Sequence, residues 1–176
     1  MEPKEIKELM DKVAELEAKV QRANDYIDKI ELKEKQDFVL ECYGKFVNNK
    51  KEILKYASDK IIINEFINEK EKFKKLQSFD CLILPSWNEG QPLIILEAIS
   101  QGTIVLSTKV GLISEILGED YPFYFEPNNV ESLIGCVKKF IEYEKKDIFS
   151  KKLYYLYKNN FSRQKHEEKL LKIFNR

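Results

Sequence analysis

Two acids, Glu89 and Glu97, are separated by seven residues in the stretch PSWNEGQPLIILEAISQG, which runs from Pro85 to Gly102. A carboxylate accepts hydrogen bonds through two oxygens, so each acid is able to hold a vicinal diol or a sugar hydroxyl. Between them, Gly90 leaves the backbone bare for close approach. Pro92 opens a helix predicted over residues 91–102, and Gly102 closes it. A helix amino terminus carries unpaired N–H groups and partial positive charge, which suits a phosphate. An acid, a helix terminus and a second acid together make a cradle for a nucleoside diphosphate sugar. A blander reading stands beside it. In this helix only Glu97, Ser100 and Gln101 are polar, and their spacing of three and four puts them on one narrow stripe. Such a stripe serves a cleft or simply faces water, and residue types alone leave both open.

The surrounding elements decide where that stripe lies. From Gln36 onward the text alternates. Strands are predicted over 37–44, 60–66, 80–85, 103–108 and 121–127. Helices are predicted over 49–58, 68–78, 91–102, 113–117 and 129–145, and the tail from 147 to 176 reads as helical with a break near 159–162. Strand–helix alternation with continuous apolar strands predicts an α/β domain with a parallel sheet covered on both faces. Ligands of such sheets sit outside the carboxyl ends of the strands. That rule selects the segment after Gly44, residues 86–92 and residues 108–114.

Before residue 32 the pattern differs. Ile6, Leu9, Val13, Leu16, Val20, Ala23, Ile27 and Ile30 alternate at three and four, an a/d heptad repeat with β-branched residues at every a position. The repeat predicts a coiled-coil helix over 1–32 that pairs in parallel, a homodimer through residues 6–30; an amphipathic helix lying on its own domain is the alternative. The remaining domain spans 36–176. A chain of 176 residues with 43% hydrophobic content, 11 Phe and 9 Tyr has ample material for a packed core. Lys and Arg number 30, as do Asp and Glu, and this balance argues against a dedicated nucleic-acid binder. Lys138-Lys139 and Lys145-Lys146 are the candidates for a local basic patch. Cys42, Cys81 and Cys136 lack metal-ligand spacing, and the apolar runs around Cys42 and Cys81 predict buried free thiols. No signal peptide and no membrane-spanning run is visible, so a cytoplasmic chain is expected, in solution or at the inner face of the membrane.

The text DCLILPSWNEGQPLIILEAISQG resembles the retaining glycosyltransferases of family four, through the pattern D-x-L-I-L-P-S-x-x-E-G-x-P-x-x-x-L-E-A-x-x-x-G. TIVLSTKVGLISEIL and FEPNNVESL resemble the segments that follow in that family, and the resemblance runs over residues 36–145. It implies a Rossmann-like domain, half of a GT-B fold, that binds a nucleotide sugar and takes part in hexose transfer with retained anomeric configuration in bacterial-type glycan biosynthesis. It implies no cofactor and no required metal. Under it Glu97 holds the donor ribose, and Glu89 contacts the transferred hexose as the catalytic residue of the site. The backbone of Gly90, Gln91, Pro92 and Leu93 meets the sugar and diphosphate. Ile67 borders the nucleobase, and Gly44 and Gly111 are close-approach glycines.

Two departures from the family pattern carry expectations of their own. The amino-terminal acceptor-binding domain has no counterpart here, and the heptad helix stands where the family places a first strand and a basic pair that clamps the diphosphate. Lys12 and Lys19 on a continuous helix cannot replace that pair. Without it the diphosphate loses charge-assisted bonds of about 1.5–3 kcal/mol each, so weak donor binding and inactivity in isolation are expected. The alternative is a non-catalytic nucleotide-sugar-binding or oligomeric interaction module that acts with a separate acceptor domain. His166 reads as a solvated surface residue. Ser86 and Ser107 have no histidine near them to form a hydrolase triad. Tyr154, Tyr155 and Tyr157 read as core or interface, and Trp87 as a pocket cap or a buried anchor.

Overall fold

The computed structural model describes residues 38–44, 54–55, 57–64 and 67–174. The chain divides into two compact units, Met1–Asn68 and Glu69–Arg176. The heptad segment and most of the helix predicted over 49–58 lie outside the described residues.

In the first unit, β1 (Leu40–Tyr43) and β2 (Ile61–Asn64) pair in parallel, with Leu40 opposite Ile61 and Tyr43 opposite Asn64. Ser58 fixes the entry to β2, its Oγ accepting from the Ile61 backbone N–H at 3.0 Å. Cys42 is exposed, against the burial expected of it. An apolar run reports that a strand forms; it does not report that both faces of the strand are covered.

The second unit is built on β3 (Cys81–Leu84), β4 (Ile104–Thr108) and β5 (Tyr124–Phe125), all parallel in that order. Its helices are α1 (Glu69–Ser78), α2 (Leu93–Ser100), α3 (Ile113–Leu117), α4 (Val130–Glu142), α5 (Lys146–Asn160) and α6 (Arg163–Phe174). All five residues of β4 are buried, as befits the central strand. Both α2 and α5 pack on β4 and on one another, and α4 packs on β5. That double contact explains the greasy α2: Ile95, Ala98 and Ile99 are fully buried at the i, i+3, i+4 spacing, and Ile94 and Leu96 pack at the margins.

Two boundaries differ from the sequence expectation for physical reasons. Pro92 precedes α2 as its N-cap, with extended backbone at φ −74° and ψ 98°, rather than sitting in the first turn. The strand predicted over 121–127 contracts to Tyr124–Phe125. Tyr121, Phe123 and Phe125 are buried in strict alternation, which mimics a longer strand, yet Phe123 meets β4 only through its carbonyl, which accepts from the Ser107 N–H at 3.1 Å, and the rings of Tyr121 and Phe123 pack edge to face. Lys146 Nζ turns back to donate to the Ile141 carbonyl at 2.6 Å, over the Phe140 ring, while Lys145 is exposed. In the tail, Leu153 is buried and Leu156 and Tyr157 line the core, whereas Tyr154 and Tyr155 are exposed. Among the described residues no helix is long and apolar enough to cross a membrane.

Candidate functional site

The loop from Pro85 to Pro92 leaves the carboxyl end of β3 and enters α2, and it carries Glu89. Hydroxyls at the end of β4 tie it down. Ser107 Oγ donates to the Leu84 carbonyl at 3.3 Å, and Thr108 Oγ1 donates to the Ser86 carbonyl at 2.6 Å. Both side chains are buried in a strand whose other residues are apolar, so each hydroxyl needs such a partner. Ser86 Oγ in turn donates to Glu89 Oε1 at 2.5 Å. One side of the Glu89 carboxylate is thereby fixed, and the side chain stays half-buried rather than waving in solvent.

Gly111 secures the same loop from the other side. Its backbone is left-handed at φ +56°, and a Cβ built there would lie 1.7 Å from the Glu89 carbonyl oxygen. Only glycine permits this approach. The next residue, Leu112, donates its N–H to the Gly90 carbonyl at 3.2 Å. Gly111 and its neighbour thus lie close against the backbone of Glu89 and Gly90. Gly90 itself is different: it has open space where a side chain would project, and it is exposed together with Gln91 and Leu93.

The amino end of α2 has no side-chain cap and no acid in its first turn. Its free N–H groups and partial positive charge thus remain available to an anion beside Gly90. Pro92 is buried and supplies the rigid entry.

Glu97 stands further along α2 with a partner that the sequence reading did not anticipate. Lys72 Nζ, on α1, donates to Glu97 Oε1 at 2.6 Å; the two side chains are 25% and 23% exposed. Ser100 Oγ bonds the Glu97 backbone carbonyl at 2.7 Å and leaves the carboxylate alone. The polar stripe of Glu97, Ser100 and Gln101 is thus largely bonded within the molecule, with Gln101 Nε2 donating to Ser100 Oγ at 3.0 Å. A sequence signal for Lys72 exists. It lies one turn before the buried Leu76, at i, i+4, so it shares the packed face of α1.

Of the residues selected from sequence, Glu89, Gly90, Gln91, Pro92, Leu93, Glu97 and Gly111 belong to the second unit, while Gly44, exposed after β1, and Ile67, half-buried, belong to the first. Trp87 is 51% exposed and is no buried anchor. His166 is exposed on α6, as expected. Among the described residues no cluster of three metal-ligating side chains occurs.

Known proteins share this architecture. The chain superimposes on a glycosyltransferase from Rickettsia africae ESF-5 with a TM-score of 0.68 at 18% identity, over 88% of this chain and 43% of that one. It also superimposes on the catalytic domain of cholesterol-α-glucosyltransferase from Helicobacter pylori, with a TM-score of 0.61 at 25% identity, over 72% of this chain and 82% of that one. TarM of S. aureus, in a complex that includes UDP, matches with a TM-score of 0.67 at 19% identity, over 89% of this chain and 33% of that one. In sequence, TuaC of Bacillus subtilis (strain 168), named for glycosyl transfer in teichuronic acid biosynthesis, is 28% identical over 65 residues, which are 37% of this chain and 17% of that protein. The chain therefore spans less than half the length of the Rickettsia africae and S. aureus proteins, and the Bacillus subtilis alignment covers less still. The profile of the glycosyl transferases group 1 matches residues 4–143, so it extends over the heptad segment as well as the motif-bearing region. With a match of that extent, on parallel sheets flanked by helices, the chain belongs to the glycosyl transferases group 1 and carries a carboxyl-terminal, Rossmann-like domain of the GT-B fold.

Proposed function

We propose that this chain binds a nucleoside diphosphate sugar and furnishes the donor half of a glycosyltransferase, which transfers a hexose with retention in bacterial glycan synthesis. The observation that carries the reading is the placement of Glu89 and Glu97 around the uncapped amino end of α2. Glu89 is locked in its loop by Ser86 and Gly111, and Glu97 is held on the helix. The diphosphate lies against the exposed Gly90–Leu93 backbone, where helix N–H groups and dipole stabilise its charge. The ribose hydroxyls bond to Glu97. Glu89 meets the hexose, and its fixed carboxylate stabilises charge that develops at the sugar as the bond to the diphosphate breaks. The relatives whose names mention glycosyl transfer support the reaction class. The nucleotide sugar is substrate, and the reading assigns no cofactor and no metal.

Calorimetric titration of UDP, GDP and their hexose conjugates tests the proposal, with Glu97→Ala alongside. Binding by the wild-type chain that is weakened at least tenfold in Glu97→Ala is expected, since the lost bonds to a charged acceptor are worth about 1.5–3 kcal/mol. Equal affinity in both proteins overturns the role of Glu97, and silence with every nucleotide overturns donor binding.

A further inference from the structure

Lys72 has no place in the reading of the site so far, yet its position is constrained. It enters from α1, a separate element, and meets the carboxylate of Glu97 at 2.6 Å with both side chains about three-quarters buried. An ion pair in that setting costs desolvation on both partners and is weak as a stabilising device. Its geometric effect is more specific. The ammonium occupies Oε1, and among the described residues Oε2 accepts no hydrogen bond. A glutamate side chain otherwise samples several rotamers; pinned through one oxygen, it offers the other in a single direction.

We propose that Lys72 is a positioning residue for donor recognition. It fixes the Glu97 carboxylate through Oε1, so that Oε2 is presented to a ribose hydroxyl, and thereby sets the discrimination between ribo- and deoxyribonucleotides. This inference rests on the donor-binding reading above. Lys72 does not itself touch the nucleotide. Its contribution is preorganisation, by which a site spends less of its binding energy on ordering its own groups. A site organised around a substrate hydroxyl rejects the analogue lacking it, because the polar group facing that hydroxyl is then left unpaired.

The test is titration of UDP and dUDP into the full chain and its Lys72→Met and Lys72→Arg variants, with thermal unfolding of each protein as a control. Wild type is expected to prefer UDP. Lys72→Met is expected to bind UDP about tenfold more weakly, one charge-assisted bond's worth of ordering, while its affinity for dUDP changes little, so that the preference collapses. Lys72→Arg, which keeps a cation within reach, is expected to restore it. Three results overturn the inference. A Lys72→Met variant that loses thermal stability but keeps the UDP preference assigns the pair a merely structural role. One that binds UDP more tightly than wild type makes Lys72 a competitor of the donor. Absence of binding by the wild-type chain to UDP and to GDP alike removes the donor reading itself and the inference with it, and only that outcome touches both; a chain that binds GDP alone is tested with GDP and dGDP in the same way.

Discussion

At the scale of single residues, the site depends on backbone placement as much as on the two acids. Glu89 reaches its position because Thr108 holds Ser86, Ser86 holds the carboxylate, and Gly111 admits the Glu89 carbonyl into the space a side chain would fill. The last contact gives a sharp prediction. Gly111→Ala combines a strained left-handed backbone with a clash at the Glu89 carbonyl, so urea unfolding should show a loss of about 1–3 kcal/mol. Nucleotide affinity should fall further than stability explains, because the Glu89–Gly90 loop must shift. An unchanged unfolding midpoint would mean that the loop moves aside freely, and the account of how Glu89 is positioned would then fail.

At the scale of elements, β4 is the hub, and it is buttressed from an unexpected quarter. Tyr121, outside the ladder, donates its hydroxyl to the Val105 carbonyl at 2.8 Å and accepts from the Val105 N–H at 3.2 Å. Burial pushes the Tyr121 phenol far above its ordinary value, and burial together with the Asp80 charge pushes the Cys81 thiol on β3 up to about 12. Both groups hold their protons longer in the folded chain than in the unfolded one, so stability must fall with rising pH. Their contribution is complete below the ordinary thiol value of about 8.5 and, for tyrosine, about 10. It is lost as pH climbs toward the folded values. Urea midpoints at pH 8, 9.5 and 10.5 should therefore decline in that order. Tyr121→Phe should start about 1 kcal/mol lower at pH 8, for the lost hydrogen bonds, and decline less steeply above pH 10. A flat wild-type profile would contradict the buttress.

At the scale of the whole molecule, the core of the second unit gathers around Phe123, which is fully buried and meets Tyr121, Phe140, Tyr143 and Phe149 with ring centroids 5.3 to 5.9 Å away. Edge-on ring pairs of this kind add to simple burial. Phe123→Ala should cost about 3–5 kcal/mol. The free thiols supply an internal reporter of that packing, since Cys42 is exposed, Cys81 half-buried and Cys136 buried. Maleimide at neutral pH should modify Cys42 first in the native chain and reach Cys81 and Cys136 only as the second unit opens. Mass spectrometry should find the latter two labelled sooner in Phe123→Ala. Equal labelling of all three thiols in the wild-type chain would refute the buried core as described.

Much of this was legible in the sequence because the signals are local. The strand of apolar residues before Pro85, the helix closing at Gly102, the short helix over 113–117 and the break between the last two helices follow from periodicity and from glycine and proline chemistry, which act within a few residues. The paired glutamates and their loop carried the family resemblance for the same reason. What the sequence did not yield depends on which elements meet. Lys72 and Glu97 are 25 residues apart, and Thr108 and Ser86 are 22 apart. The backbone that Gly111 admits belongs to Glu89. Whether Cys42 is covered depends on its neighbours in space rather than in the chain. Types and spacing along the chain thus determined the acids, the helix terminus and the family. The tertiary structure alone decided which cation pins Glu97 and which hydroxyls hold Glu89. Contacts between distant segments are fixed only when the sheet and its helices pack, and no periodicity records them.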